Sequence, residues 1–251
     1  RETEMKVACL YYGQPRFTNN PYCFESHKKF IFDRYNTDVY AHLWWDEDED
    51  YDRSHVTDWE FSTWLQMEKC PKDREDLARF VDKWQPLKMK TSKPKEFWNE
   101  KMWLELEKRF DTERFHKKNF HNQLSQLYSI QQVSELVEDY NQYDFIITIR
   151  SDINIWDYPD LNQLPKNKFY LSSHAMPFPD LGFIFSPRFK RILRTYEHCE
   201  KNLVNWDVCW APVAEAFKYS CYKRNYAESD LLRGPLPLRL VRGVDCQGPS
   251  W

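Results

Sequence analysis

The residues best suited to chemistry stand at the end of a short apolar run. Phe145, Ile146, Ile147, Thr148 and Ile149 lead directly into Arg150, Ser151 and Asp152, and the chain turns apolar again at Ile153 and Ile155. A run of this length, rich in β-branched side chains, predicts a buried strand. Open α/β sheets bind their ligands in the crevice beyond the carboxyl ends of the strands. Arg150 and Asp152 therefore bring opposite charges to the place where a ligand would lie. A carboxylate there can hold a divalent cation, and a guanidinium can hold phosphate or orient that carboxylate.

The elements that must position this pair follow from the apolar pattern. Residues 6–12 (KVACLYY) read as a buried first strand closed by the turn Gly13-Gln14-Pro15-Arg16. Asn20-Pro21 has the order of an N-cap followed by proline in the first helical turn, and predicts a helix reaching residue 34. Residues 38–45 (DVYAHLWW) form a second strand that runs into an acidic loop. A short helix is expected over 73–84, an exposed strand over 86–90, and a helix over 97–110. Ahead of the Arg-Ser-Asp strand, Leu124, Leu127, Tyr128, Ile130, Val133, Leu136, Val137 and Tyr140 recur at three- and four-residue steps and make one helix face. Strands over 168–172 and 181–185, a helix opening at Ser186-Pro187, a helix over 207–219 and a basic, proline-rich tail with Arg233, Arg239 and Arg242 complete the reading. Alternation of strand and helix through the first 155 residues predicts a mostly parallel sheet covered by helices.

Composition narrows the function classes. The 251 residues carry a net charge of −3, which argues against a surface built to coat nucleic acid. No stretch of about 18 apolar residues exists that could span a membrane. Nothing near Arg1 resembles a signal peptide, Met5 is expected to be the natural start, and a cytoplasmic location follows. The seven cysteines form no C-x-x-C and no zinc spacing, so they are expected to be reduced and structural. None of the five glycines builds G-x-G-x-x-G or a Walker loop. A bound nucleotide diphosphate would then have to be neutralised by a metal and by cationic side chains.

FIITIRSDINI resembles the strand and D-x-D segment of GT-A glycosyltransferases, and the GQPRF turn, the DVYAHLWWDE strand and the SQLYSIQQV helix are similar to the same superfamily. They resemble one branch of it, which includes transferases of surface-polysaccharide clusters and large DNA viruses, and the resemblance spans roughly residues 5 to 190. It implies a GT-A-like single domain with a mostly parallel, Rossmann-like sheet flanked by helices. About 5–155 would be the nucleotide-binding half, and about 156–251 a less regular acceptor-binding half. The pattern departs at one point: Arg150 stands where D-x-D has its first acid, leaving Asp152 as the motif's metal ligand, helped by Asn154.

The resemblance assigns the donor to Tyr11, Gly13, Gln14, Arg16, Asp46, Arg150 and Asp152, with Arg16 on phosphate, Tyr11 or Tyr12 stacked on a base, and Asp46 on ribose or base. Ser125, Gln126 and His174 stand in a second tier. An inverting transfer also needs a base for the acceptor hydroxyl. Asp180, before the strand at Gly182, and Glu228 or Asp230 are the candidates. The expected function is metal-assisted transfer, with Mn²⁺ or Mg²⁺, of a sugar from a UDP-linked donor to a glycan hydroxyl, in the host cytoplasm if the chain is viral. A non-catalytic carbohydrate-binding protein and a metal-dependent phosphoesterase are the alternatives. On the metal reading, Asp152→Ala abolishes transfer and leaves the fold intact.

Overall fold

The computed structural model describes residues 4–48, 73–97, 104, 108, 117–171, 182–194, 196–197, 231–233 and 239–242. The expected helices over 97–110 and 207–219 lie outside this set, save for isolated residues of the first.

The first strand, β1 (Lys6–Gly13), is central in a seven-stranded sheet. It pairs in parallel with β2 (Asn36–Trp44) on one side and β4 (Phe145–Ile149) on the other. The short β3 (Lys88–Ser92) extends β2 at the edge. Beyond β4 lie the antiparallel β7 (Gly182–Phe185), then β6 (Phe169–Leu171) and β8 (Leu231–Arg233), giving the order β3-β2-β1-β4-β7-β6-β8. One strand, β7, opposes the other six. A separate two-stranded sheet pairs β5 (Ile153–Asp157) with β9 (Arg239–Arg242). The fold is thus α/β with a mostly parallel sheet, as expected. The arginine-bearing tail, read as irregular, instead supplies β8 and β9.

Strand β1 shows why a run with no polar alternation becomes a central strand: both of its faces are covered. Ala8, Leu10 and Tyr12 enter one core with Leu124, Leu127, Ile130 and Val133 of helix α3 (Lys117–Ser134). Val7, Cys9 and Tyr11 enter the other, with Phe80 and Trp84 of helix α2 (Asp76–Trp84). Burial of each such aliphatic or aromatic side chain contributes about 1.5–3 kcal/mol. Cys9 and Cys23 are buried, and burial pushes the Cys9 thiol up to about 12, so it is an unreactive core group.

Helix α1 (Pro21–His27) begins as the capping signal predicts, with Asn20 Oδ1 accepting the Tyr22 N–H at 2.9 Å. It continues through a wider π turn, Lys28–Phe32, rather than as α-helix to residue 34. Helix α3 stops at Ser134, so Leu136 and Val137 lie past its end and Tyr140 belongs to the 3₁₀ turn Tyr140–Gln142. All three still pack on the same core, because the chain turns back over the sheet there. Ser186-Pro187 opens a 3₁₀ segment, Pro187–Leu193, which buries Phe189, Ile192 and Leu193 against α3.

Candidate donor site at the crossover between the first and fourth strands

The chain leaves β1 through α1 and builds outward to β2 and β3. It then returns over the opposite face through α3 to place β4 on the other side of β1. The loops beyond the carboxyl ends of β1 and β4 therefore diverge around one crevice, the switch point of an open α/β sheet. Register sets Tyr11 opposite Ile149, so residues 14–16 and 150–152 lie side by side. Arg16 meets Arg150 and Asp152 here, across more than a hundred positions of sequence.

Arg150 closes a fork on Asp152: Nε donates to Oδ1 at 2.7 Å and Nη2 to Oδ2 at 2.6 Å. Arg16 reaches the same carboxylate from the other loop, with Nε 3.3 Å from Oδ2. Asp152 is fully buried and Arg16 is 4% exposed, while Arg150 is partly open. The formal charges of these three side chains sum to +1.

Local structure on both sides holds this cluster in place. The Arg16 N–H donates to Gln14 O at 2.9 Å, a tight turn around Pro15. Phe17 follows with φ +55°, a left-handed conformation unusual for an aromatic residue, and such strain persists only where surrounding contacts impose it. Those contacts are Thr18 Oγ1 donating to Asp76 Oδ1 at 2.6 Å and Lys83 Nζ donating to Thr18 O at 2.7 Å, both from α2. On the other side, His27 Nε2–H donates to the Ile153 carbonyl at 2.7 Å and Nδ1 accepts from the Tyr11 hydroxyl at 2.7 Å. A carbonyl can only accept, which fixes this tautomer. Ser26 Oγ accepts the Ile155 N–H at 3.0 Å. Helix α1 thus anchors the chain just after Asp152.

Two expected base-stacking residues are corrected by this geometry. Tyr11 is fully buried, bonded to His27 and wedged against Phe80 and Trp84; Tyr12 is buried in the opposite core. Alternation along a strand covered on both faces sends neither ring toward the crevice. Gly13 has φ +102°, and nothing lies within 4 Å of a Cβ built there, so the backbone conformation rather than crowding calls for glycine. Gln14 sits in the turn with its Oε1 buried and unpartnered. Asp46, beyond β2, is 7% exposed; its Oδ1 accepts the Asp48 N–H at 3.1 Å and lies 3.0 Å from Lys93 Nζ, a contact that raises the lysine pKa. Asp180, Glu228, Asp230 and His174 lie outside the described residues.

A polar network that pattern reading missed braces the floor of the crevice. Ser129 Oγ of α3 accepts the Gly13 N–H at 3.0 Å and shares a 2.7 Å hydrogen bond with His42 Nδ1, while His42 Nε2 meets Ser92 Oγ at 3.0 Å. Burial, and the charges of Lys90 and Lys95, lower the His42 pKa to about 3, so the ring is neutral. The available signal was a histidine alternating with Tyr40 and Trp44 on the inner face of an apolar strand. Ser129→Ala would strand the Gly13 N–H and one His42 nitrogen. We expect it to cost about 1–3 kcal/mol in urea unfolding, the range for an unsatisfied buried polar group.

The described residues do not fit a divalent cation. Both oxygens of Asp152 already face guanidinium nitrogens, and a dication beside two guanidinium groups meets like charge on two sides. Among the described residues no group of three His, Cys, Asp or Glu side chains is placed to hold a metal ion. No helix among them is long and apolar enough to cross a membrane.

No protein-family model matches the sequence, and no curated protein matches it. Among solved structures, a glycosyltransferase involved in the glycosylation of the major capsid of PBCV-1 aligns over 92% of this chain and 82% of its own, at 8% identity and a TM-score of 0.37. The apo-form glycosyltransferase GlyE of Streptococcus pneumoniae TIGR4 aligns over 92% of this chain at 10% identity and a TM-score of 0.40. The chain spans 46% of that protein's length.

Proposed function

We propose that the chain is a glycosyltransferase that binds a nucleotide-diphosphate sugar, UDP-linked, across the crossover between β1 and β4. The donated sugar passes to a hydroxyl of a glycan acceptor with inversion. The supporting observation is the convergence of Arg16 and Arg150 beyond two adjacent strand ends, in an α/β sheet that lacks a glycine-rich phosphate loop. When the bond from the anomeric carbon to the diphosphate breaks, the bridging electrons stay on the leaving phosphate. Guanidinium donors aimed at that phosphate stabilise the developing charge more than the ground state, which lowers the barrier. The acceptor hydroxyl loses a proton as it attacks, a role for which Asp180, Glu228 and Asp230 are the candidates.

The reading is tested by thermal shift against UDP-sugars, GDP-sugars, free sugars and p-nitrophenyl phosphate, followed by assay of nucleotide release with glycan acceptors. Stabilisation by one nucleotide-sugar class, together with release that depends on acceptor, is the expected result. Binding of free sugar without nucleotide would instead indicate a lectin. Turnover of the generic phosphate ester would indicate a phosphoesterase.

A further inference from the structure

We infer that Arg188, Arg191 and Arg194 form an exposed guanidinium row that binds an acidic glycan, one bearing carboxylates along its chain. The inference rests on the transferase reading only in making that glycan the acceptor.

The row follows from the geometry of the segment that carries it. Pro187–Leu193 is a 3₁₀ segment, and the Arg194 N–H donates to Arg191 O at 3.2 Å, so bonding between residues three apart runs on to Arg194. With three residues per turn, side chains three apart eclipse one another, about 6 Å apart along the axis at a rise of roughly 2.0 Å per residue. This spacing sorts the side chains into rows. Phe189 and Ile192 make one row and are fully buried. Lys190 and Leu193 make a second: Leu193 is fully buried, and Lys190 Nζ lies 5.6 Å from the centre of the Tyr140 ring. Arg188, Arg191 and Arg194 make the third, and all three are exposed. Residues 186–194 include no acid. Glu135, just past α3, and Glu197, three residues beyond the row, accept hydrogen bonds from the side-chain amides of Gln131 and Gln132.

A guanidinium recognises a carboxylate through two parallel N–H bonds. Repeated along a line, that recognition suits a polymer with acids at intervals. A lipid surface fits less well. A segment lying in a membrane interface turns its apolar side chains to the lipid, and here Phe189, Ile192 and Leu193 are turned into the core. Nucleic acid fits less well with a chain whose net charge is −3.

The end of the row is tied to the donor crossover. Two residues past Arg194, the Tyr196 ring meets Tyr128 edge-on at 5.1 Å, and Tyr128 lies 5.9 Å from the His42 ring. His42 belongs to the brace with Ser129 and Gly13 at the floor of the crevice. That crevice is where an acceptor hydroxyl must arrive.

Calorimetric titration of the whole chain with a galacturonic acid oligomer, a neutral glucose oligomer of equal length and UDP tests the inference. The wild type should bind the acidic oligomer at least about tenfold more tightly than the neutral one, a difference of about 1.4 kcal/mol. Raising NaCl from about 50 to about 300 mM should weaken the acidic oligomer alone, because salt screens exposed charges. The double variant Arg191→Gln/Arg194→Gln should lose at least about tenfold for the acidic oligomer, with two charge-assisted contacts removed. Its affinity for UDP should stay within about twofold of the wild type, since exposed substitutions disturb the fold little.

Equal affinity for the two oligomers, failure to bind either, or acidic binding that survives the double variant would overturn the row and leave UDP binding to judge the transferase reading. Phosphatidylserine vesicles or a thymidine oligonucleotide bound as tightly as the acidic oligomer would also overturn it as a glycan site. Acidic binding through the row in a wild type that does not bind UDP would support the row and count against the transferase.

Discussion

Asp152→Ala should lower the unfolding free energy by about 3–5 kcal/mol, the cost of leaving buried charge uncompensated. The reason is the company this carboxylate keeps. It is fully buried, accepts two hydrogen bonds from Arg150 and lies 3.3 Å from Arg16. Removal takes away the anion that both guanidinium groups contact. The metal reading had this variant inactive but intact, and the observed contacts replace that expectation with a stability defect. Urea unfolding measures the loss. Millimolar pyrophosphate should recover part of it, since a ligand that binds only the folded state stabilises by mass action. A variant as stable as the wild type would mean that Asp152 is not what balances the two arginines.

Acid should destabilise the fold well before ordinary carboxylates titrate. Burial lowers the His27 pKa from 6.5 to about 4, against smaller opposing contributions from its bond to Ile153 and the charge of Asp152. His42 falls to about 3 for the same leading reason. Both are neutral when folded, and both would take up a proton near pH 6.5 when unfolded. Above that pH neither state is protonated and the stabilisation is whole. Between pH 6.5 and about 4 the unfolded chain gains protons that the folded chain refuses, so stability falls with pH. Near pH 5 each histidine contributes a slope of about 1.4 kcal/mol per pH unit, and the two together about 2.7. The carboxylates with depressed pKa, such as Asp144 and Asp160, lose their contribution at lower pH. Urea titrations at half-unit steps give the slope directly. His27→Gln removes one titrating group and should roughly halve it; an unchanged slope would mean that His27 is not the group responsible. Because His27 also tethers the residue after Asp152, the same acidification should loosen the loop that carries Arg150 and Asp152.

The fold was legible where a local pattern has one physical solution. An unbroken apolar run of strand length with no room for polar alternation must be covered on both faces, and residues 6–12 became the central strand for that reason. Asn20-Pro21 started a helix because a side-chain acceptor and a preset φ serve the first turn whatever surrounds them. The tail around Arg233 and Arg239 was not legible. Its strands are three and four residues long, and only their pairing with β6 and β5 makes them strands. The brace of Ser129, His42 and Gly13 escaped for a related cause: each residue is unremarkable within its own element, and the bond exists only between elements.

The site divides along the same line. The amino-acid order by itself determined that Arg150 and Asp152 follow a buried strand, and that Arg16 follows another, because short-range hydrophobicity dictates where strands end. Only the tertiary structure decided that these two strands are neighbours and that both arginines converge on one acid. It also turned Tyr11 away from the crevice and into the core. The pairing and the convergence depend on register and crossover between segments more than a hundred residues apart, and Tyr11 is held by His27, Phe80 and Trp84 from other elements; no local pattern encodes such contacts.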